Sequence, residues 1–330
     1  MIIGSRGSPL ALRQTEIVRE RLALLGVQTE IQRVKTSGDV FLDKPLHQLS
    51  GAGVFVAEID ERMLCGEIDL AVHSMKDLPT KRPEELTVSA VLKRDSPYDI
   101  LLSRERGREL EELGEGAVVG TSSMRRTAQL RRERPDLVVK SLRGNLQTRL
   151  RKLAQGDYDA IVLAEAGLQR MGLKLDCRRL DGERFVPSAN QGTIIVVAKK
   201  GTEGESLSRM LDDAPARRET MIERRILETV GGGCVVPMAV HAMADADRGR
   251  ARVLAEVLSL DGRRFVRLDE TLNLDGKCLR RAEEMRLTDD DIAAIDTPLL
   301  VTDPEDEQFW PGQPAELLEK LTGAKAHLPF

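Results

Sequence analysis

Two hydrophobic periods alternate along the first two thirds of the chain. Met1–Gly4 is a short apolar run and predicts a strand. Ser8 followed by Pro9 reads as an N-cap and a helix-starting proline, and Leu12, Ile17, Leu22 and Leu25 recur along the helix until Gly26. Val27–Thr36 puts Val27, Thr29 and Ile31 on one face, the period of a strand. A helix over Phe55–Cys65 ends at Gly66, and Ile68–Val72 is an unbroken apolar strand of the buried kind. After a junction near Leu92–Tyr98 the alternation resumes. Strands at Ala117–Val119, Leu137–Ser141 and Ala160–Leu163 are interleaved with helices from Met124, over Asn145–Gln155 (closed by Gly156) and over Ala164–Met171. Repeated strand–loop–helix units predict two α/β domains with largely parallel sheets.

Past Arg217 the pattern changes. A helix over Arg217–Val230 runs into Gly231-Gly232-Gly233-Cys234. Three β-like runs follow, Val236–Met243, Arg252–Leu258 and Arg263–Leu272, and Asp261-Gly262 between the last two is a hairpin turn. This predicts a smaller α+β domain with an antiparallel sheet. A helix is expected after Gly276, and Asp289–Phe330 is acidic and proline-bearing with no clear period. No stretch of sequence repeats another.

Composition narrows the function classes. The 330 residues are 41% hydrophobic and 32% charged, which suits a folded soluble chain. Lys+Arg 50 against Asp+Glu 54 leaves −4, so no global charge draws it to nucleic acid or an anionic membrane. Aromatics are 3%, too few for base-stacking platforms. No apolar run reaches the roughly 20 residues of a membrane span, and a charge at Arg6 comes too early for a signal peptide. Cys65, Cys177, Cys234 and Cys278 contain no C-x-x-C pair, and the four histidines form no H-E-x-x-H. A cytoplasmic protein without a metal centre is the expectation.

The chemistry concentrates at strand ends. Residues 124–152 hold ten Lys/Arg against Glu133 and Asp136 alone, with no Phe, Tyr or Trp. Arg125 and Arg126 follow Thr121-Ser122-Ser123 at a helix start, where free N–H groups favour anions. Arg6 and Arg143 lie in strand-to-helix loops, and open α/β sheets bind ligands beyond the carboxyl ends of their strands. Such arginines suit a ligand with several carboxylates or phosphates. Arg131, Arg132, Arg134, Arg151 and Lys152 read as a solvated helix face. Asp77 directly follows a buried strand beside Lys76, and a carboxylate in a basic cleft can stabilise a cation or move a proton. It reads equally as a turn residue before Leu78-Pro79. Cys234, after three glycines, could be a nucleophile or attachment point, or a small buried hydrophobe. Cys65 and Cys278 read as the latter. Gly114-x-Gly116-x-x-x-Gly120 precedes its strand and is no dinucleotide fingerprint, and there is no Walker A sequence.

Five segments in order carry a resemblance. They are Gly4–Ala11 (GSRGSPLA), Ala71–Pro79 (AVHSMKDLP), Val119–Arg126 (VGTSSMRR), Ser141–Asn145 (SLRGN) and Gly232-Gly233-Cys234. Together they resemble the porphobilinogen deaminase (hydroxymethylbilane synthase) family, from residue 1 to about 245. The resemblance implies two domains like type II periplasmic binding proteins plus a smaller C-terminal α+β domain. The boundaries would be 1–95 with 190–212, then 96–189, then 213–330, the chain returning to the first domain near Ser188–Ile194. It implies a dipyrromethane cofactor joined by a thioether to Cys234. It implies a transferase that joins four porphobilinogens with loss of ammonia. By motif position Asp77 and Lys76 would be catalytic. Arg6, Ser8, Phe55, Ser74, Thr121, Ser123, Arg125, Arg126, Arg143, Gly144, Arg149, Arg170 and Gln191 would bind cofactor or substrate. The partner would be porphobilinogen alone, without nucleic acid or membrane, and the protein a monomer. Asn190 stands where glycine commonly precedes the glutamine, and Gln48 and Ala52 where lysines are common. A non-catalytic two-domain binder of polycarboxylates is the rival reading, and a nucleic-acid binder using the 124–152 strip is the second; a binder would need neither Asp77 nor Cys234.

Overall fold

A computed structural model describes residues 1–35, 56–79, 82–230, 236–245 and 248–274. Phe55, Cys234, Gln48, Ala52 and the helix expected after Gly276 lie outside them. The first sheet contains β1 (Ile2–Arg6), β2 (Glu30–Val34), β3 (Leu70–Ser74), β4 (Leu86–Val91) and β10 (Ile194–Lys199), in the order β2-β1-β3-β10-β4. The second contains β5 (Asp99–Ser103), β6 (Val118–Gly120), β7 (Val138–Lys140), β8 (Ala160–Ala164) and β9 (Arg178–Arg179), in the order β7-β6-β8-β5-β9. A third, antiparallel sheet holds β11 (Met238–Asp245), β12 (Arg250–Leu258) and β13 (Phe265–Asn273). Two α/β domains and a smaller antiparallel one are therefore present, as the sequence pattern indicates.

The sheets of the α/β domains are mixed rather than largely parallel. β1 runs parallel to β2 and β3, while β10 runs antiparallel to β3 and β4. In the second sheet β6 is parallel to β7 and β8, while β5 is antiparallel to β8 and β9. The antiparallel strands are the ones reached by crossing between domains. Such a strand arrives without a βα unit of its own, so right-handed crossover does not fix its direction.

Both sheets bury both faces. In β10, Ile195 and Val197 meet Ile59 and Met63 of α2 (Ala57–Leu64), while Ile194 and Val196 meet Val18 and Leu22 of α1 (Pro9–Leu24). In β5, Leu101 meets Leu130 of α3 (Met124–Glu133), while Ile100 and Leu102 meet Leu153 of α4 (Leu146–Gln155). α5 (Glu165–Arg170) follows β8, and α6 (Glu203–Ser208) follows β10. The third sheet lays Val240, Ala242 and Val253 on Ile222 and Ile226 of α7 (Ala214–Val230).

Helix ends follow the sequence cues. Ser8 Oγ accepts from the Ala11 N–H, Asn145 Oδ1 from Thr148, and Ser123 Oγ from Arg126. Cys65 differs from its reading: it caps α2 and is exposed.

Two crossings join the α/β domains side by side. The Leu92 N–H donates to Ile194 O at 3.0 Å and the Asp95 N–H to Gly192 O at 2.9 Å. A Cβ on Gly192 would sit 2.6 Å from Asp95 O, so only glycine fits there. Asn190, where the resemblance leads one to expect glycine, has φ 63, a left-handed conformation that asparagine tolerates better than most residues. Fully buried Glu223 of α7 holds this junction. It accepts from Arg94 Nη1 (2.8 Å) and Nη2 (3.1 Å) and from the N–H groups of Asn190 (2.6 Å) and Ala242 (2.8 Å).

The basic face of α3 is not solvated, contrary to the sequence reading of Arg131, Arg132 and Arg134. Arg132 Nη1 pairs at 2.8 Å with buried Glu256 of β12, and Arg131 Nη1 donates to Leu260 O at 3.0 Å. Arg134 pairs with Asp136 and caps carbonyls of Leu110 and Leu113. The third domain thus meets Arg131 and Arg132, and the second domain's own loop takes Arg134, which no local pattern could announce.

Candidate active site

β3 ends at Ser74 and the chain makes one tight turn through Met75–Asp77. Met75 is buried and its N–H donates to Thr193 O at 3.0 Å, which pins the turn to the return crossing. Gln14 of α1 donates to Ser74 Oγ at 2.8 Å. The next two side chains turn outward: Lys76 is half-buried and Asp77 exposed. From the third domain, Arg224 of α7 donates to the Leu78 and Pro79 carbonyls at 3.3 and 2.5 Å, just beyond Asp77.

Cations surround this turn. Lys76 Nζ donates to Gln191 Oε1 at 3.3 Å. Burial and the guanidinium of Arg126 bring its ammonium down to about 8, against the opposing pull of Asp77. Arg149 and Arg170 also feel the Asp77 carboxylate, while burial lowers both below the ordinary arginine value. Arg149 Nε donates to Gly144 O at 2.8 Å, and Gly144 has φ 105, so the loop after β7 needs glycine there. Arg170 Nε pairs with Asp95 at 2.7 Å, while Arg170 Nη2 is buried without an acceptor among the described residues. Arg6 stands at the end of β1 and Arg143 in the β7–α4 loop, both half-buried.

Other expected residues serve the frame as well. The hydroxyls of Ser8 and Ser123 cap helices, and Thr121 Oγ1 accepts from the Ser123 N–H at 3.2 Å. Arg125 Nη1 is shared among Asp99 Oδ2, Gln129 Oε1 and Val186 O at 2.8–3.0 Å. Arg126 reaches further toward the turn: Nη2 bonds Asp99 at 2.7 Å and Gln191 Oε1 at 3.4 Å, and Nε is buried without an acceptor among the described residues.

Sequence reasoning passed over Asp99, Asp95, Arg224 and His73. Asp99 is 1% exposed; burial alone would raise its carboxyl, but the two guanidiniums outweigh that and hold it well below the usual range. Its signal was an acid heading the apolar run Ile100-Leu101-Leu102. His73, buried in β3, is held neutral by burial and by Arg82 and Arg6, its imidazole pushed down to about 3. The site is thus a carboxylate on a rigid turn, with buried arginine donors of Arg126 and Arg170 that lack acceptors among the described residues. That donor set suits a ligand carrying several carboxylates.

Comparison with known proteins agrees. The family model described as porphobilinogen deaminase, dipyromethane cofactor binding domain, matches residues 1–206. A probable porphobilinogen deaminase of Methanococcoides burtonii is 53% identical over 272 residues, covering 82% of this chain and 88% of that one. One from Archaeoglobus fulgidus is 48% identical over 285 residues (86% and 95% covered), and a porphobilinogen deaminase of Roseiflexus castenholzii 44% identical over 267 (80% and 87% covered). With a matching family model over more than half its length and relatives about half identical over most of both chains, this chain belongs to the porphobilinogen deaminase family.

Proposed function

We propose that the protein is a transferase of tetrapyrrole synthesis that joins four porphobilinogens head to tail, releasing ammonia at each step and, by hydrolysis with one water, hydroxymethylbilane at the end. The observation that carries this reading is Asp77 on its exposed turn with Lys76, Arg149 and Arg170 in its field. In each addition the substrate's aminomethyl C–N bond breaks, ammonia leaves, and the carbon bonds to the free α-position of the growing chain, which loses a proton. Departure of ammonia leaves positive charge delocalised over the substrate pyrrole. Asp77 stabilises that charge, and Met75 and Arg224 hold the turn so the carboxylate need not reorganise.

The residues fit a dipyrromethane, whose acetate and propionate groups match the unsatisfied guanidinium donors of Arg126 and Arg170. When bound, the cofactor supplies the pyrrole chain end on which growth begins. Arg126, Arg143, Arg149, Arg170, Arg6 and Lys76 bind carboxylates of cofactor and substrate; Gln191 orients Lys76. Arg125 acts one layer behind, through Asp99. Ser8, Ser74, Thr121, Ser123 and Gly144 shape the loops, and Phe55 and Cys234 keep the roles implied by the resemblance, Cys234 as the thioether anchor. Residues 1–95 with 190–212, 96–189 and 213–330 form the three domains of a cytoplasmic monomer. No described helix is long and apolar enough to cross a membrane.

The deciding experiment combines two readouts. Purified protein given porphobilinogen should release ammonia and a product that oxidises to a porphyrin, and intact mass should show two pyrrole units lost in Cys234→Ala. A loaded protein that makes no porphyrin absorbance overturns the reading.

A further inference from the structure

Among the described hydrogen bonds Asp99 reaches neither Lys76 nor Asp77, yet its carboxylate is the shared acceptor of the layer behind them. Oδ2 accepts from Arg125 at 2.8 Å, while Oδ1 accepts from Arg126 at 2.7 Å and from Gln191 Nε2 at 2.8 Å. Gln191 Nε2 also donates to Pro97 O at 2.7 Å. Both partners on that side can only accept, so the amide nitrogen must lie there. The amide oxygen then points at Lys76 Nζ (3.3 Å) and Arg126 Nη2 (3.4 Å), which can only donate. Lys76 comes from the turn after β3 of the first domain, Asp99 from β5 and Arg126 from α3 of the second, and Gln191 from the return crossing between them.

We propose that Asp99 is a positioning residue for the Lys76–Asp77 turn: its buried carboxylate, fixed between Arg125 and Arg126, orients Gln191 so that the glutamine oxygen faces Lys76. The assignment rests on the proposed reaction for its kinetic consequence but not for its geometry. An asparagine at 99 has the same size but one accepting oxygen for three donors, and its own N–H₂ would face one of them. Gln191 then loses the partner that fixes its orientation, and two buried guanidiniums lose their counter-ion. The charges acting on Lys76 are Asp77 from its own turn, Arg125 and Arg126 from α3, and Asp99 from β5. Of these Asp99 favours the ammonium, so its loss destabilises that form.

The test uses the purified holoprotein and measures acetylation of Lys76 against pH by peptide mass spectrometry, beside turnover. Asp99→Asn should move the labelling midpoint of Lys76 to lower pH and cut kcat by on the order of a hundredfold. Glu256→Gln is the matched control. Glu256 is equally buried and pairs with Arg132 and Gln129, away from Lys76, so its loss should lower stability without moving the midpoint. If Asp99→Asn does not fold, Gln191→Leu decides: it leaves the ion pairs of Asp99 intact, removes the oxygen facing Lys76, and should shift the midpoint the same way. An unmoved midpoint in Asp99→Asn, or in Gln191→Leu where that variant decides, overturns the assignment. So does an equal shift in Glu256→Gln. A parent protein that makes no porphyrin overturns the reaction instead and leaves the labelling result standing.

Discussion

The two α/β domains repeat one plan without repeating sequence. β1 and β6 each lie between two parallel neighbours, each runs into a serine-capped helix, and each sheet takes one antiparallel strand beyond its third position. Their loops then diverge. In the first, the central strand, β3, ends in the turn carrying Lys76 and Asp77. In the second, the corresponding strand β8 runs into α5 and delivers Arg170. The first domain therefore provides the carboxylate, and the second most of the guanidiniums. The second domain also spends arginines on the frame: Asp99 takes up Arg125 and Arg126, which sequence alone offered to a ligand, while Asp136 takes Arg134 and Glu256 of the third domain takes Arg132. A basic segment thus has to be divided into ligand-facing and frame-holding arginines before its charge says anything about substrate.

Removing the first domain's contribution should have the largest effect. Asp77→Asn keeps shape and some hydrogen bonding but loses the charge. Turnover should fall on the order of a hundred- to a thousandfold, with the cofactor mass unchanged by intact mass spectrometry. Turnover near that of the parent would leave Asp77 a mere turn residue. Next come the second domain's ligand-facing arginines. Arg149→Leu and Arg170→Leu each remove a charged hydrogen bond worth about 1.5–3 kcal/mol, enough to stall one addition. Partly elongated enzyme should accumulate after brief exposure to porphobilinogen. Arg126→Leu should instead yield mostly apoprotein, because the same side chain also neutralises Asp99. One adduct distribution shared by all three variants and the parent would erase the division between the two kinds of arginine.

What the sequence revealed depended on distance. The cap at Ser8, the glycine ends of helices and the Asp261-Gly262 turn are decided within a few residues, and the structure reproduces them. Asp77 was legible because a polar residue directly after a buried strand must emerge at a sheet end. β5 and β10 were not read as strands, since each short apolar run sits beside a crossing and owes its direction to the other domain. Asp99 was missed for a related reason. Its partners Arg125 and Arg126 lie on a helix beyond one further strand, β6, and an acid before Ile100 looks like an ordinary turn residue. Arg131, Arg132 and Arg134 were misread because a charged helix face is the same in sequence whether water, a third domain (Arg131, Arg132) or a loop of its own domain (Arg134) meets it.

The third domain sharpens the comparison at a smaller scale. It grips the first domain's turn through Arg224 and has no such hold on the loops of Arg149 and Arg170 among the hydrogen bonds described. Arg224→Met keeps the apolar stem and removes the two bonds to Leu78 and Pro79. The turn should loosen without losing carboxylate binding, so kcat should drop by roughly tenfold while KM stays put. A raised KM at unchanged kcat would mean that Arg224 binds substrate instead.

The smallest effect separates the domains by acid sensitivity. Residues 96–189 contain no histidine, whereas His73 is buried in the first sheet and His241 in the third. Burial is the main reason both imidazoles titrate near 3 rather than 6.5; Arg82 and Arg6 add to it at His73, and Arg94 at His241, which also stands edge-on to the Tyr98 ring at 5.7 Å. The unfolded chain binds a proton at each site once pH falls through 6.5, and the folded chain does not until about 3. Between those values the unfolded state holds more protons, so stability drops as pH drops. Asp99 works in a lower window. Its folded carboxyl lies below the ordinary 3.8, so the stability it contributes is complete above that value and is lost only on further acidification. Hydrogen exchange at pH 5 should therefore open β3 and β11 ahead of β8, relative to pH 7. His241→Leu should flatten the response of β11 alone. If β8 opens first, the paired carboxylates of the second domain, and not the neutral histidines of its neighbours, set the acid limit.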